Sequence, residues 1–183
     1  MGPIRFRDKG RKVLAVQIVT KRLTLRRPAP ADIDAIFALH HDPEACAHNP
    51  SDLLATHADA EERFARWDEH WRRHSFGYWA IDDRESARTL GFSGLKVVRF
   101  REREVLNLFY RLDPAAWGAG YATEVATAVV AWAGEHLPDW PILARVRPEN
   151  IASQKVALNS GLTRAEHLDE PGEDGPDWMF TAN

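Results

Sequence analysis

Hydrophobic residues recur along the chain with two different periods, and each period predicts one kind of secondary structure. Residues 22–27 alternate between polar and apolar and predict a half-buried strand, and a short helix is expected after Asp32. Residues 57–74 predict a second helix, because apolar residues at helical spacing form one continuous stripe. That stripe consists of Ala60, Phe64, Trp67 and Trp71.

An antiparallel meander is predicted in the middle of the chain. Three segments rich in aromatic and aliphatic residues, 76–81, 89–100 and 105–112, are each long enough to form a strand. Turns rich in Asp, Arg and Glu separate the segments, and Asp113 with Pro114 ends the third. Short connections of this kind favour antiparallel neighbours in a sheet.

The second half of the chain changes to helical periods linked by short strands. A long helix is predicted over residues 118–136, a strand over 142–146 and another helix over 150–160. Two closing strands are predicted at 162–168 and 177–181. A strand–helix–strand unit after a meander predicts an α+β fold, with a mostly antiparallel mixed sheet of about seven strands and helices on both faces.

Composition and charge narrow the classes of protein that fit. The 183 residues suit one domain with a short extension, and the net charge of −3 argues against a general nucleic-acid binder. No apolar run reaches the length of a membrane span, and the single cysteine, Cys46, cannot form an internal disulfide. We therefore expect a cytoplasmic protein with neither a nucleic-acid nor a membrane partner. His70 and His74 have no third ligand at suitable spacing, so no metal site is predicted.

A glycine-rich turn lies between the third meander strand and the long helix. Residues 117–122 read Trp-Gly-Ala-Gly-Tyr-Ala. The first N–H groups of a helix have no internal partner and the helix dipole adds positive charge, so an exposed backbone here favours an anion. A diphosphate would be held by the amides of residues 119–123. The ordinary alternative is a tight turn without a ligand, and neither a Walker loop nor a dinucleotide-binding fingerprint matches the spacing.

A second segment makes the resemblance to a known family specific. Residues 150–162 read Asn-Ile-Ala-Ser-Gln-Lys-Val-Ala-Leu-Asn-Ser-Gly-Leu. Together with residues 117–122, this segment resembles the Gcn5-related N-acetyltransferase (GNAT) superfamily, in the branch of the RimJ/RimL-type ribosomal-protein acetyltransferases. The resemblance covers residues 20–181 or so, and we take residues 20–183 as one GNAT domain and residues 1–19 as an N-terminal extension.

The resemblance implies an enzyme that moves the acetyl group of acetyl-coenzyme A (acetyl-CoA) to a primary amine in a ternary complex. The acceptor would be a protein N-terminus or a small amine, and relatives often form homodimers. Main-chain contact to the pantetheine arm is implied at Leu112, with Asn150 also on the arm and Ser153 near the sulfur. The implied contacts at the glycine turn are Trp117, Gly118, Ala119, Gly120, Tyr121, Ala122 and Thr123.

Two residues that many superfamily members use for proton transfer are missing. The position of a proton-donating Tyr is Ala157, so the resemblance leaves Ser153 as the donor to the departing thiolate. The position of a frequent Glu base is Asn107, which cannot take a proton at neutral pH. Either a water chain or another carboxylate, such as Glu104 or Asp113, would then remove the proton, and the base stays open.

These absences support an alternative of another class. The protein would then be a CoA-binding sensor or assembly module without catalysis. Asn150 and Ser153 also have an ordinary alternative, because an Asn followed by a Ser three residues later is a common helix start. If the protein is an enzyme, we expect the acceptor between residues 42–57 and the acidic residues 168–177, which would attract an amine cation.

Overall fold

The computed structural model describes residues 17–182. Residues 1–16, which are most of the predicted N-terminal extension, lie outside the described residues. The end of that extension, Ile18–Val19, forms a short strand, β1, that pairs antiparallel with the next strand of the sheet.

Nine strands and four helices lie within the described residues. The strands are β1 (Ile18–Val19), β2 (Leu23–Arg26), β3 (Tyr78–Asp83), β4 (Thr89–Phe100), β5 (Arg103–Leu112), β6 (Ile142–Val146), β7 (Thr163–Arg164), β8 (Glu170–Gly172) and β9 (Gly175–Ala182). The helices are α1 (Ile33–His41), α2 (His57–His74), α3 (Tyr121–His136) and α4 (Ile151–Asn159). The two strands beyond the predicted seven are the short β1 and β8.

The sheet has the order β1-β2-β3-β4-β5-β6-β9-β7, and β8 pairs with β9 beside this path. Every pair is antiparallel except β5 with β6, which run parallel. That parallel pair has only two register positions, Leu106 with Ile142 and Asn107 with Leu143. The predicted mixed, mostly antiparallel sheet is confirmed, and its one parallel pair is short.

Helices cover both faces of the sheet, as predicted. Successive side chains of a strand point to opposite faces, and Trp79 and Ala80 of β3 are both fully buried in different core clusters. The cluster around Trp79 includes Val125 and Val129 of α3 and Ala157 of α4. The cluster around Ala80 instead contains residues of α1 and α2, namely Ile36, Leu39, Ala60 and Trp67.

The predicted strand over residues 162–168 is much shorter in the structure. It ends at Arg164 and is followed by a 3-10 turn at Glu166–Leu168. The reason is Asp169, whose carboxylate accepts the backbone N–H of Met179 at 3.0 Å and pairs with the Arg164 guanidinium. The Asp169 side chain thus accepts the Met179 N–H of β9, which would have bonded the backbone of β7 if that strand were longer.

Candidate functional site

The glycine-rich turn is anchored to the end of β5. The Asp113 side chain accepts the N–H of Ala115 at 2.9 Å and starts a 3-10 turn, Pro114–Ala116. The N–H of Trp117 then donates to Pro114, and its indole Nε1 donates to the carbonyl of Leu112 at 2.9 Å. These bonds fix the path of the chain from the strand into α3.

Two glycines expose the backbone where α3 begins. Gly118 and Gly120 have φ of 76° and 79°, in the left-handed region that favours glycine. The helix therefore starts at Tyr121 instead of the predicted residue 118. The N–H groups of Tyr121, Ala122 and Thr123 find no acceptor within the described chain, and a Cβ on Gly118 would meet nothing within 4 Å. The start of α3 is open to an anion.

Arg22 places a positive charge beside these free N–H groups. Its Nη1 donates to the carbonyl of Ala119 at 2.8 Å, and its guanidinium stacks over the Tyr121 ring at 4.2 Å. Its Nη2 lies 3.7 Å from where a Cβ of Gly120 would stand. Sequence reasoning missed Arg22, since 97 residues or more separate it from each of these contacts and no local pattern links them.

Glu124 holds Arg22 in this position. Its carboxylate accepts from the Arg22 Nε at 2.7 Å, from the Arg22 backbone N–H at 2.9 Å and from the Thr20 hydroxyl at 2.6 Å. Burial acts against the charged form, but these hydrogen bonds outweigh burial and keep the pKa of Glu124 below its ordinary value. Glu124 thus joins the turn before β2 to the start of α3.

A gap opens between β5 and β6 beyond Asn107, where their pairing ends. β5 continues to Leu112 with β4 on its other edge. The N–H of Leu106 donates toward β6, to Pro141 at 2.9 Å, and backbone direction alternates along a strand. The residues of β5 whose backbone groups face the gap are therefore Leu108, Tyr110 and Leu112. Because the carbonyl of Leu112 is occupied by Trp117, its N–H is the group that remains for a ligand.

Asn150, Ser153 and Tyr110 come together on the α4 side of this gap. The Asn150 side chain accepts the N–H of Ser153 at 2.9 Å, which makes it the cap of α4. The Ser153 hydroxyl lies 2.8 Å from the hydroxyl of Tyr110, which also donates to the Ser153 carbonyl at 3.0 Å. Burial raises the pKa of Tyr110 to about 12, so its phenol carries its proton. Sequence reasoning missed Tyr110 as a partner of Ser153.

A polar cavity of about 340 Å³ lies on the other face of the sheet. Asn107 and Tyr78 are both wall residues of this cavity. Neither Glu104 nor Asp113, the two candidate bases, is in the wall: Glu104 is exposed, and Asp113 pairs with Arg88 at 2.8 Å. We define this cationic cavity by its wall: His40, Asp52, Arg63, Arg66, Trp67, Tyr78, Lys96, Asn107 and Phe109.

The two loops expected to flank the acceptor are bonded to each other. The Asp174 carboxylate accepts two hydrogen bonds from Ser51, one from its backbone N–H at 3.0 Å and one from its hydroxyl at 2.6 Å. Buried Arg147 donates to the carbonyl of His48 and pairs with Asp177 at 2.8 Å. The acidic residues 168–177 thus hold the 42–57 loop in place. Of the 42–57 loop, only Asp52 is a wall residue of the cationic cavity.

His70 and His74 have packing roles. The Nδ1 of His70 donates to the carbonyl of Phe76 at 2.9 Å, and its Nε2 accepts the N–H of Val97 at 3.0 Å. Burial lowers the pKa of His70 to about 4, which keeps the ring neutral. Within residues 17–182, no three His, Cys, Asp or Glu side chains lie close enough together to hold a metal ion. No helix in that range is long and apolar enough to cross a membrane.

Comparisons with known proteins agree with this architecture. A family model described as the acetyltransferase (GNAT) domain matches residues 22–163. YoaA of Bacillus subtilis, described as an uncharacterized N-acetyltransferase, is 25% identical over 145 residues, which are 79% of this chain and 81% of YoaA. An acetyltransferase from Agrobacterium tumefaciens is 26% identical, with a TM-score of 0.77 over 95% of this chain and 99% of that one.

A further solved structure shares the fold at lower identity. It is RimL, the ribosomal L7/L12 α-N-protein acetyltransferase, in complex with coenzyme A. It is 16% identical, with a TM-score of 0.73 over 91% of this chain and 97% of that chain. The family match spans the glycine turn, the gap between β5 and β6, and α4. This protein therefore belongs to the GNAT acetyltransferase family.

Proposed function

We propose that this protein transfers the acetyl group of acetyl-CoA to a primary amine by direct attack in a ternary complex. The observation that carries the proposal is the start of α3, where free N–H groups, two left-handed glycines and Arg22 surround an open space. A pyrophosphate has the charge and the acceptor oxygens for such a place. The same turn leads directly from the exposed edge of β5.

The pantetheine arm would lie along the gap between β5 and β6. Leu108, Tyr110 and Leu112 offer backbone groups there, and an extended arm can bond them as an added strand would. The side-chain amide of Asn150 lies at the N-terminus of α4, near Ser153. Asn150 would therefore act both as the cap of α4 and as a ligand of the arm. This path would bring the thioester toward Asn107, next to the cationic cavity.

The reaction itself requires one new bond and one broken bond. The amine nitrogen attacks the thioester carbonyl carbon, and the N–H of Leu108, the gap-facing residue next to Asn107, would stabilise the oxyanion that forms, while the N–H of Leu112 bonds the pantetheine arm nearer the glycine turn. The C–S bond then breaks, and the Ser153 hydroxyl protonates the departing sulfur. The attacking amine loses one proton to solvent, and Ser153 takes one proton back from solvent after it has protonated the sulfur, so the protons balance. Tyr110 positions the Ser153 hydroxyl and supplies the phenol that is missing at position 157.

We include the RimJ/RimL branch, with a protein N-terminus as one class of acceptor, in the proposal. The Asn150–Gly161 segment and Trp117 support the branch, while the likeness to RimL at 16% identity shows the fold alone. A cytoplasmic location fits the single cysteine, Cys46, which is buried and forms no disulfide.

A thiol-release assay tests the function. The purified protein is incubated with acetyl-CoA and, in turn, with peptides that have a free N-terminus, amino acids, polyamines and other small amines. We expect release of free CoA and a mass gain of one acetyl group on at least one acceptor. Tight acetyl-CoA binding without thiol release across the panel would favour the alternative, a CoA-binding module, which the Asn107 and Ala157 positions motivate.

Replacing Arg22 by Gln is expected to raise the Kd for CoA about tenfold, because a charge-assisted hydrogen bond to phosphate contributes about 1.5–3 kcal/mol. Calorimetry measures the affinity, and the loss should shrink at high salt, which screens the interaction. Arg84→Gln is the matched control, because Arg84 bonds the carbonyls of Thr20 and Lys21 in the same turn without touching α3. An equal loss in both variants would assign the effect to the turn.

A further inference from the structure

The cationic cavity carries more positive than negative charge. Arg63 and Arg66 of α2 and Lys96 of β4 are in its wall, and Asp52 is the one carboxylate among the described wall residues. His40 adds no charge, because burial and nearby guanidinium groups lower its pKa to about 3. Three cations therefore share a wall with one anion.

Asp52 is already engaged by two guanidinium groups. Its carboxylate lies 2.8 Å from buried Arg111, which is not a wall residue, and 3.6 Å from Arg63. Arg66 makes only a 3.7 Å pair with Glu62, on the exposed side of α2, and exposed pairs of this kind are weak. No wall carboxylate is left over to balance Lys96.

Lys96 is half-buried and forms no ion pair within residues 17–182. Burial and the neighbouring Arg66 and Arg63 lower the pKa of its ammonium group, and no carboxylate opposes them. A partly buried positive charge without a counter-charge is costly, and an anionic ligand would remove that cost.

Lys96 is also close to the place where the acetyl group would be transferred. It is the direct register partner of Asn107 across β4 and β5, and such partners have Cβ atoms about 5 Å apart. Asn107 is the last residue of β5 that pairs with β6, so the cavity adjoins the start of the gap. An anion bound by Lys96 would lie within one side-chain length of that point.

We propose that the acetyl acceptor is a compact amine that carries an anionic group, a carboxylate or a phosphate, and that Lys96, Arg63 and Arg66 bind this group. The inference rests on the proposed acetyl transfer and adds the substrate class. The bound anion holds the amine nitrogen at the gap. A polyamine or another polycation is disfavoured, because it would bring positive charge to a positive wall.

Matched amines test the substrate class. Two anionic amines are each compared with a neutral analogue: β-alanine with its carboxamide, and O-phosphoethanolamine with ethanolamine. The quantity measured is kcat/KM at saturating acetyl-CoA, and spermidine is included as a polycationic acceptor. We expect at least one anionic amine to exceed its neutral partner by about tenfold or more, the effect of one charge-assisted contact. The two pairs tell a carboxylate from a phosphate. Equal or higher kcat/KM for the neutral amines or spermidine would overturn the proposal.

Single substitutions on α2 and β4 locate the anion site. Lys96→Gln should raise KM for the anionic amine about tenfold to 100-fold and leave the neutral amine unchanged. Arg66→Gln should act in the same direction. Arg73→Gln is the matched control, because Arg73 makes a similar exposed pair, 3.5 Å from Glu69, outside the wall. Equal losses for anionic and neutral amines in Lys96→Gln would contradict a binding role.

A binding measurement separates this inference from the proposed function. Calorimetry with the CoA-saturated protein and β-alanine or O-phosphoethanolamine needs no turnover. Binding that Lys96→Gln removes, without any acetyl transfer, would overturn the proposed reaction and leave the anion site standing. Acetyl transfer to neutral amines, with no anion binding, would overturn the anion site and leave the reaction standing.

Discussion

Replacement of Gly120 by Glu is expected to weaken acetyl-CoA binding by at least about 100-fold, since like charges 4 Å apart repel by about 4 kcal/mol near a protein surface. The introduced carboxylate would stand at the open start of α3, next to the free N–H groups of Tyr121 and Ala122. It would also compete for the Arg22 guanidinium, whose Nη2 is 3.7 Å from the new Cβ. Calorimetry or a filter assay with CoA measures the loss.

Backbone strain has to be separated from charge in this experiment. A side chain at a φ of 79° costs roughly 1–2 kcal/mol wherever it is placed. Gly161→Glu is therefore the control, because Gly161 has a φ of 96° and open space around it, at the far end of α4. It should fold with similar strain and keep its affinity for CoA. Unchanged affinity in the Gly120 variant would place the pyrophosphate elsewhere.

Replacement of Ser153 by Ala is expected to lower kcat about 100-fold, since a positioned proton donor contributes 100-fold or more. The Kd for acetyl-CoA should change by less than about fivefold, the effect of one neutral hydrogen bond. The α4 cap should survive, because Asn150 bonds the backbone N–H of residue 153 and not its side chain. Steady-state kinetics and calorimetry together give this split, and equal losses in kcat and affinity would assign Ser153 to binding alone.

Two variants accompany the Ser153 experiment. Tyr110→Phe removes the hydroxyl that lies 2.8 Å from the Ser153 Oγ, and we expect a smaller fall in kcat, because the donor remains but is less well positioned. Ser160→Ala is the control, at the C-cap of the same helix. Its hydroxyl bonds the carbonyl of Ala157 and lies outside the gap, so kcat should not change.

The periodic segments of the chain and its glycine turn were predictable because their signals are local. The apolar stripe of α2 is confirmed, with Ala60, Trp67 and Trp71 buried in the structure. The mixed sheet also follows from the order of elements, since a meander and a helix-linked strand leave few ways to cover both faces. The start of α3 was predicted too early, because left-handed glycines at 118 and 120 delay the helix to Tyr121.

Contacts between distant parts of the chain were not predictable in the same way. Arg22 reaches Ala119 and Glu124, and Tyr110 reaches Ser153, across separations of 43 residues or more. The two loops expected to flank the acceptor are bonded to each other through Ser51 and Asp174. None of these pairs has a characteristic spacing, because the order and register of the strands decide which side chains meet.

The sequence by itself therefore determined the class of fold, the glycine turn before α3, and the presence of helix α4, because periodicity, turn chemistry and motif spacing act over a few residues. Only the tertiary structure decided the charge of the cationic cavity. Lys96 comes from β4, Arg63 from α2 and Asp52 from the loop before α2, and their charges act together only once these elements pack. Net composition is acidic, yet this cavity is positive, because electrostatic interactions depend on distances in the folded chain.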